Sequence, residues 1–215
     1  MMLTGRILAL ILGYVFGLFP TGRIIGKKNN TDLRKEGSGN TGMTNSIRVL
    51  GWKAGITVFF GDCLKCVAAM TVLWLLYRNT YPEAVKLLEL YAGLGAVLGH
   101  NFPVYAKFKG GKGIACSVGI VFAFDWRMVP LCAVLFFVAV VPTSFMSLGS
   151  LAIVTAFLVQ VIVFGLVGLL KVSASYFVET CIVSAIVTGL AYWRHRENLK
   201  RLASGTENKF QPSKK

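Results

Sequence analysis

Acidic side chains are scarce in this chain. Nine Asp and Glu stand against 23 Lys and Arg, a net charge of +14, and only 15% of the 215 residues are charged. Soluble domains run near a quarter charged, so an ordinary water-facing surface is missing, and no large soluble domain fits beside the apolar segments. Histidine occurs twice, at His100 and His195. The five cysteines, Cys63, Cys66, Cys116, Cys132 and Cys181, all lie in apolar runs, and an odd number there excludes a disulfide framework. Cys63-Leu64-Lys65-Cys66 has CxxC spacing, but a structural zinc needs four ligands, so two small packing residues on a helix are expected. No cleavage motif follows the first apolar run, which ends in Pro20-Thr21-Gly22-Arg23; it reads as a retained helix rather than a signal peptide. No fixed-period repeat is visible.

Hydrocarbon is what the chain has in excess: 55% of its residues are hydrophobic. They fall into blocks near the roughly 20 residues that cross a bilayer: about 3–26, 54–77, 84–106, 114–141, 147–169 and 174–193. Asp125-Trp126-Arg127 interrupts the fourth. Clustered positive charge occupies 27–53, 107–113 and 194–215. The positive-inside rule puts all three in the cytoplasm, and an even number of crossings must then separate the second from the third. Splitting 114–141 at Asp125-Trp126-Arg127 satisfies this. The predicted fold is an all-α polytopic membrane protein of about seven transmembrane helices, N-terminus outside and C-terminus cytoplasmic. A re-entrant pair, or five spans with one interfacial segment, is the alternative layout. One membrane domain is expected over 1–210, with a disordered tail over 211–215.

Three polar segments punctuate the blocks. Gly37-Ser38-Gly39-Asn40-Thr41-Gly42-Met43-Thr44-Asn45 alternates glycine with small donors, and Arg48 follows. Glycine lets backbone approach a ligand, successive N–H groups form anion nests, and arginine adds a fork suited to phosphate. The competing reading is a flexible surface loop. Lys109-Gly110-Gly111-Lys112-Gly113 opens the next helix, where the dipole and free N–H groups favour an anion. Gly113 after Lys112 is not the Ser or Thr of a Walker loop, so nucleotide hydrolysis gains no support. A basic membrane-surface loop is the plainer alternative. Arg194-His195-Arg196-Glu197-Asn198, then Arg201 and Gly205-Thr206-Glu207, lies where the last block meets water. His195, Asn198 and Arg201 share a helical face, although a solvated stop-transfer cluster would look similar. His100-Asn101-Phe102-Pro103 closes the third block. Asp62 and Lys65, costly at depth, are expected to face the bundle interior, paired with each other or orienting the loops.

In this order between membrane blocks, these segments resemble the acyl-phosphate-dependent glycerol-3-phosphate acyltransferase family of bacteria, the PlsY family. The residues that carry the match are Gly37 to Asn45 with Arg48, His100 to Pro103 with Lys109 to Gly113, and Arg194 to Asn198 with Gly205-Thr206-Glu207. Met43 departs from the small alanine usual in the family. The resemblance implies a membrane enzyme with a cytoplasmic-side site. Its reaction would move a fatty acyl group from acyl phosphate to the 1-hydroxyl of glycerol 3-phosphate, giving lysophosphatidic acid and phosphate, the first step of bacterial phospholipid synthesis.

It further implies that Ser38, Arg48, Lys109, His195 and Asn198 are catalytic and hold glycerol 3-phosphate. Gly37, Gly39, Asn40, Thr41, Asn45 and His100 would line the substrates, and Gly110, Gly111, Lys112 and Gly113 would meet the acyl phosphate. Glu197 would be structural. No cofactor, metal, nucleic acid or protein partner is implied; the partners are the two substrates and membrane lipids, and the location is the cytoplasmic membrane. His100 is followed five residues on by Tyr105 and His195 by Lys200, so the His-x₄-Asp dyad of soluble-domain acyltransferases does not occur. Either His195 or a substrate phosphate takes the proton. A transporter would favour inverted repeats and broken mid-bilayer helices, and a structural protein would not need three donor-rich loops on one side.

Overall fold

The computed structural model describes residues 2–211. Of the tail expected over 211–215, residues 212–215 lie outside these. The regular structure among the described residues is helical: α1 (Met2–Gly17), α2 (Thr21–Lys28), α3 (Met43–Leu50), α4 (Trp52–Tyr77), α5 (Val85–Asn101), α6 (Ile114–Phe124), α7 (Val129–Thr143), α8 (Met146–Leu166), α9 (Ala174–Arg194) and α10 (Arg196–Ala203), with short 3-10 turns at Val104–Ala106 and Trp126–Met128.

Among the described residues, five segments are long and apolar enough to cross a membrane: Leu3–Lys28, Trp52–Tyr77, Trp126–Thr143, Met146–Leu166 and Ala174–Arg194. Helix α5 has 17 residues and α6 has 11. Both are buried in the bundle, and a helix surrounded by protein need not match the hydrocarbon thickness. Helix α7 is the most peripheral. It turns Leu131, Val134, Phe137, Val138 and Val141 outward, a face that only lipid would cover favourably.

Sequence chemistry explains the breaks. Pro20 divides the first apolar block into α1 and α2. The 114–141 stretch breaks where expected: Asp125 accepts from the Arg127 backbone N–H at 3.1 Å and caps the Trp126–Met128 turn, and Pro130 sits in the first turn of α7, where its missing N–H is harmless. Three boundaries differ from the sequence reading. The 27–53 loop contains α3, whose eight residues are too few for a clear periodic signal. The third block ends at Asn101 rather than 106, stopped by Pro103. Helix α9 does not run on into the tail; it stops at His195, and α10 is a separate helix.

Helices α1 and α5 make the closest pair. Gly13 and Gly17 face Gly95 and Gly99 in two GxxxG patterns, and a Cβ on Gly13 would collide with the Ala92 carbonyl. Small residues let membrane helices approach this closely. Cys63 and Cys66 are buried; the Cys63 thiol donates to Ala115 O at 3.0 Å, which makes them packing residues between α4 and α6.

The connections after α1, α5, α7 and α9 meet at one end of the bundle. Arg194 reaches the carbonyls of Gly110 and Gly111, Phe210 N–H donates to Ser144 O at 2.7 Å, and Lys65 on α4 donates to Phe19 O at 3.0 Å. Ser38 and Asn40 line one cavity with Lys112 and His195, so all three basic segments share that end.

Candidate active site

The first glycine loop is built around Asn45. Helix α3 holds this side chain 1% exposed. Its Oδ1 accepts from the Ser38 N–H at 2.8 Å, and its Nδ2 donates to Leu33 O, Glu36 O and Asn40 O at 3.1, 3.0 and 2.8 Å. The carboxamide is fully engaged, so Asn45 sets the loop's shape. Gly37 and Gly39, at φ +57° and +71°, bracket Ser38 in left-handed backbone, a region most residues avoid. A Cβ on Gly37 would also strike Asn45 Oδ1.

The second glycine loop folds back on α5. Gly110 N–H donates to Asn101 O at 3.0 Å and Gly111 N–H to His100 O at 3.2 Å. These two N–H groups are therefore not free for a phosphate, contrary to the expectation from sequence. The two glycines instead allow close approach: a Cβ on Gly110 would hit the His100 carbonyl, and one on Gly111 would land on His100 Nε2. Arg194 pins the loop from α9, donating to Gly110 O at 2.9 Å and Gly111 O at 3.1 Å. The anion-attracting pole lies a few residues on. The first N–H groups of α6 have no preceding helical carbonyl, and Gly113, Ile114 and Ala115 open on a cavity.

Beside that pole, Lys112 donates its ammonium to Asn198 Oδ1. Asn198 Nδ2 donates to Glu207 Oε1 at 2.7 Å. Glu207 also accepts from Ser147 Oγ at 2.9 Å and from Arg201 Nε at 2.9 Å. Burial would push the Glu207 carboxyl up, but these bonds and the Arg201 charge outweigh it and hold it below its ordinary range. Burial pulls Lys112 down to about 8, against the attraction of Glu207. His195 lies at the α9–α10 junction, 2% exposed. Its Nδ1 lies 2.7 Å from Ala191 O, which can only accept, so Nδ1 carries the hydrogen and Nε2 keeps its lone pair. Burial and the Lys112 charge press the imidazole down to about 4, so it is neutral at ordinary pH.

These parts surround one cavity of about 590 Å³. Its mouth is polar, with Ser38, Asn40, Lys112, Ser147 and His195. Its body is an apolar trough walled by Val118 and Val121 of α6, Val129, Ala133 and Phe136 of α7, and Ile153 of α8. Asn45, Gly113 and His100 also line it. Arg48 and Lys109 do not. Arg48 is half-buried in the last turn of α3. Lys109 is exposed and borders a separate polar recess of about 30 Å³ with Thr41, His100, Gly110 and Gly111. Glu197 is exposed, with Lys200 at 3.3 Å; the carboxylate that organises the mouth is Glu207.

The sequence model of the glycerol-3-phosphate acyltransferase family matches residues 7–205. The chain belongs to that family. It is 38% identical over 206 residues to a glycerol-3-phosphate acyltransferase of Bacillus subtilis (strain 168), covering 94% of this chain and 96% of that one. It is 40% identical over 207 residues to one of Halalkalibacterium halodurans, covering 94% of each. The fold matches a crystal structure of PlsY (YgiH), an integral membrane glycerol 3-phosphate acyltransferase, in its glycerol 3-phosphate form, with TM-score 0.82, 32% identity and 96% of each chain covered. The lysophosphatidic acid form of PlsY (YgiH) matches with TM-score 0.80 and 30% identity, covering 96% of this chain and 95% of that one. This is an integral membrane member of an acyltransferase family.

Reasoning from sequence missed three members of the site. Glu207 stood within the matched Gly205-Thr206-Glu207 triplet but was not singled out, because its partners are 6, 9 and 60 residues away. Arg194 stood in the matched Arg194–Asn198 run but was given no role of its own. Ser147 carried no signal at all, since a serine opening an apolar helix looks like any cap residue.

Proposed function

We propose that this protein transfers a fatty acyl group from acyl phosphate to the 1-hydroxyl of glycerol 3-phosphate, releasing lysophosphatidic acid and inorganic phosphate at the start of bacterial phospholipid synthesis. The observation that carries this reading is the continuity of the cavity: a cationic, donor-rich mouth opens into an apolar trough. A phosphate at the mouth and an acyl chain in the trough would bring an anhydride carbonyl beside His195 and Lys112. An acyl phosphate is a mixed anhydride, so it needs no covalent enzyme intermediate, and holding two reactants together supplies several kcal/mol of the barrier.

In the reaction, the 1-hydroxyl oxygen bonds to the acyl carbon and the carbon–oxygen bond to the phosphoryl group breaks. The phosphate leaves with the electron pair. Lys112 and the α6 N-terminus stabilise that negative charge. The hydroxyl proton passes to His195 Nε2 or to a substrate phosphate. Ser38, Asn198, Arg48 and Lys109 are proposed, on the family resemblance, to hold glycerol 3-phosphate.

Seven crossings, with the site cytoplasmic, follow from adding α5 and α6 to the five longer segments and placing the shared basic end inside. The test is phosphate release by the purified protein from palmitoyl phosphate. Release that requires glycerol 3-phosphate, with lysophosphatidic acid formed in equal amount, is the expected result. Turnover with an acyl thioester but not with acyl phosphate would refute the donor assignment.

A further inference from the structure

Beneath the second glycine loop lies a charged cluster that the reaction above leaves unused. Asp62 and Lys65, one turn apart on α4, form an ion pair at 2.8 Å with side chains 3% and 6% exposed. The Lys65 ammonium also donates to Phe19 O at 3.0 Å and lies 3.0 Å from His100 Nδ1. Asp62 Oδ1 is 3.5 Å from the same ring nitrogen. Groups from α4, the α1–α2 connection and α5 thus converge on the ammonium: it donates to Phe19 O, faces His100 Nδ1 and is ion-paired with Asp62.

This arrangement decides the chemistry of His100. A neutral ring with its hydrogen on Nδ1 would point that hydrogen at an ammonium 3.0 Å away, which is repulsive. The ring therefore accepts at Nδ1 from Lys65, which places its hydrogen on Nε2; a protonated ring would carry a hydrogen on Nε2 as well, but with an Nδ1–H facing the same ammonium and only Asp62, at 3.5 Å, to relieve it. The His100 side chain is nine-tenths buried, yet no group among the described residues pairs with Nε2. Nε2 is not among the described side-chain atoms that are both fully buried and unpaired, so it opens on the space that His100 borders, where a ligand oxygen can satisfy it. Nε2 lies where a Cβ of Gly111 would stand, against the glycine loop, and His100 borders both the main cavity and the small recess. His195 has the opposite tautomer, with Nδ1–H held by Ala191 O and Nε2 free to accept. The cavity wall therefore carries one imidazole donor and one imidazole acceptor.

We infer that His100 Nε2–H is a hydrogen-bond donor to the phosphoryl oxygens of the acyl phosphate, and that Asp62 and Lys65 are positioning residues that fix that donor. The inference rests on the acyl-phosphate reading above. Gly111 has no side chain because the donor needs that space. His100→Ala should raise the KM for acyl phosphate by roughly 10- to 150-fold, the range for a hydrogen bond to a charged acceptor. His100→Gln, whose amide nitrogen reaches the Nε2 position, should recover most of it. His100→Asn, whose amide reaches only Nδ1, should not.

The chain has only two histidines, so nitrogen-15 NMR of histidine-labelled full-length protein in detergent can read both rings, with His195→Ala assigning the signals. The expected spectrum shows Nε2–H at His100 and Nδ1–H at His195. Addition of a long-chain acyl phosphonate should move the His100 Nε2 signal, and glycerol 3-phosphate alone should not. A His100 ring protonated only on Nδ1, equal losses in the Gln and Asn variants, or a response to glycerol 3-phosphate alone would each overturn the inference. Absence of acyl-phosphate turnover would instead refute the proposed reaction and leave the tautomer result standing.

Discussion

Replacing Glu207 tests whether the cavity mouth is held together from the C-terminal segment. Its carboxylate is 4% exposed at the side chain and accepts three hydrogen bonds, from Asn198, Ser147 and Arg201. Glu207→Ala removes both acceptor oxygens and with them all three bonds. Asn198 and Ser147 are themselves 8% and 5% exposed, so their donors have little water to turn to. Leaving a buried donor unsatisfied costs about 1–3 kcal/mol. The Arg201 bond adds little, because that guanidinium is more than a third exposed and screened. The expected loss is about 2–4 kcal/mol, and it falls on the group that orients Lys112. Expressed in kcat/KM, that is roughly 30- to 900-fold. Glu207→Gln keeps the shape and one acceptor oxygen, and should cost about tenfold. The assay is steady-state acyl transfer on protein that elutes normally in detergent, with thermal unfolding in parallel. Near-wild-type kcat/KM for Glu207→Ala, in folded protein, would refute the view that Glu207 governs the Asn198–Lys112 pair.

Three further outcomes are expected. Lys112 is held near 8, below its ordinary 10.5; the unfolded chain binds the extra proton between these values, so folding stability should rise with pH across that window, while KM for the phosphate substrates should rise above about pH 8 as the ammonium is lost. Lys112→Arg, charged throughout, should remove that alkaline rise in a KM–pH profile. If His195 takes the proton, the acid limb of kcat/KM should fall near its pKa of about 4, whereas a substrate phosphate as acceptor would place it near the phosphate's second pKa of about 6; the pH–rate profile separates the two. Arg194→Met removes both bonds to the second loop and should lower kcat/KM for acyl phosphate by tenfold or more, on the scale of about 1.5–3 kcal/mol for a charged hydrogen bond, as measured by acyl transfer at saturating glycerol 3-phosphate.

Much of this protein was legible in one dimension because a bilayer imposes a coarse code. Blocks of apolar residues near the thickness of hydrocarbon, a charged Asp125-Trp126-Arg127 interruption and three basic segments determined an all-helical membrane protein with its polar chemistry on one side. The glycine loops and Lys112, His195 and Asn198 were visible for a similar reason: short motifs advertise themselves by composition. What each of those residues does was decided only in three dimensions. Asn45 looked like a ligand donor and is the clamp of its own loop. Gly110 and Gly111 looked like phosphate-binding amides, but α5 carbonyls had already taken their N–H groups. Lys109 and Lys112 sit three residues apart, yet only Lys112 faces the cavity. Hydrogen bonds are short-ranged and directional, so whether a polar group is free or spent depends on neighbours from distant parts of the chain, such as Glu207 with Ser147, Arg194 with Gly110, or Lys65 with His100 and Phe19.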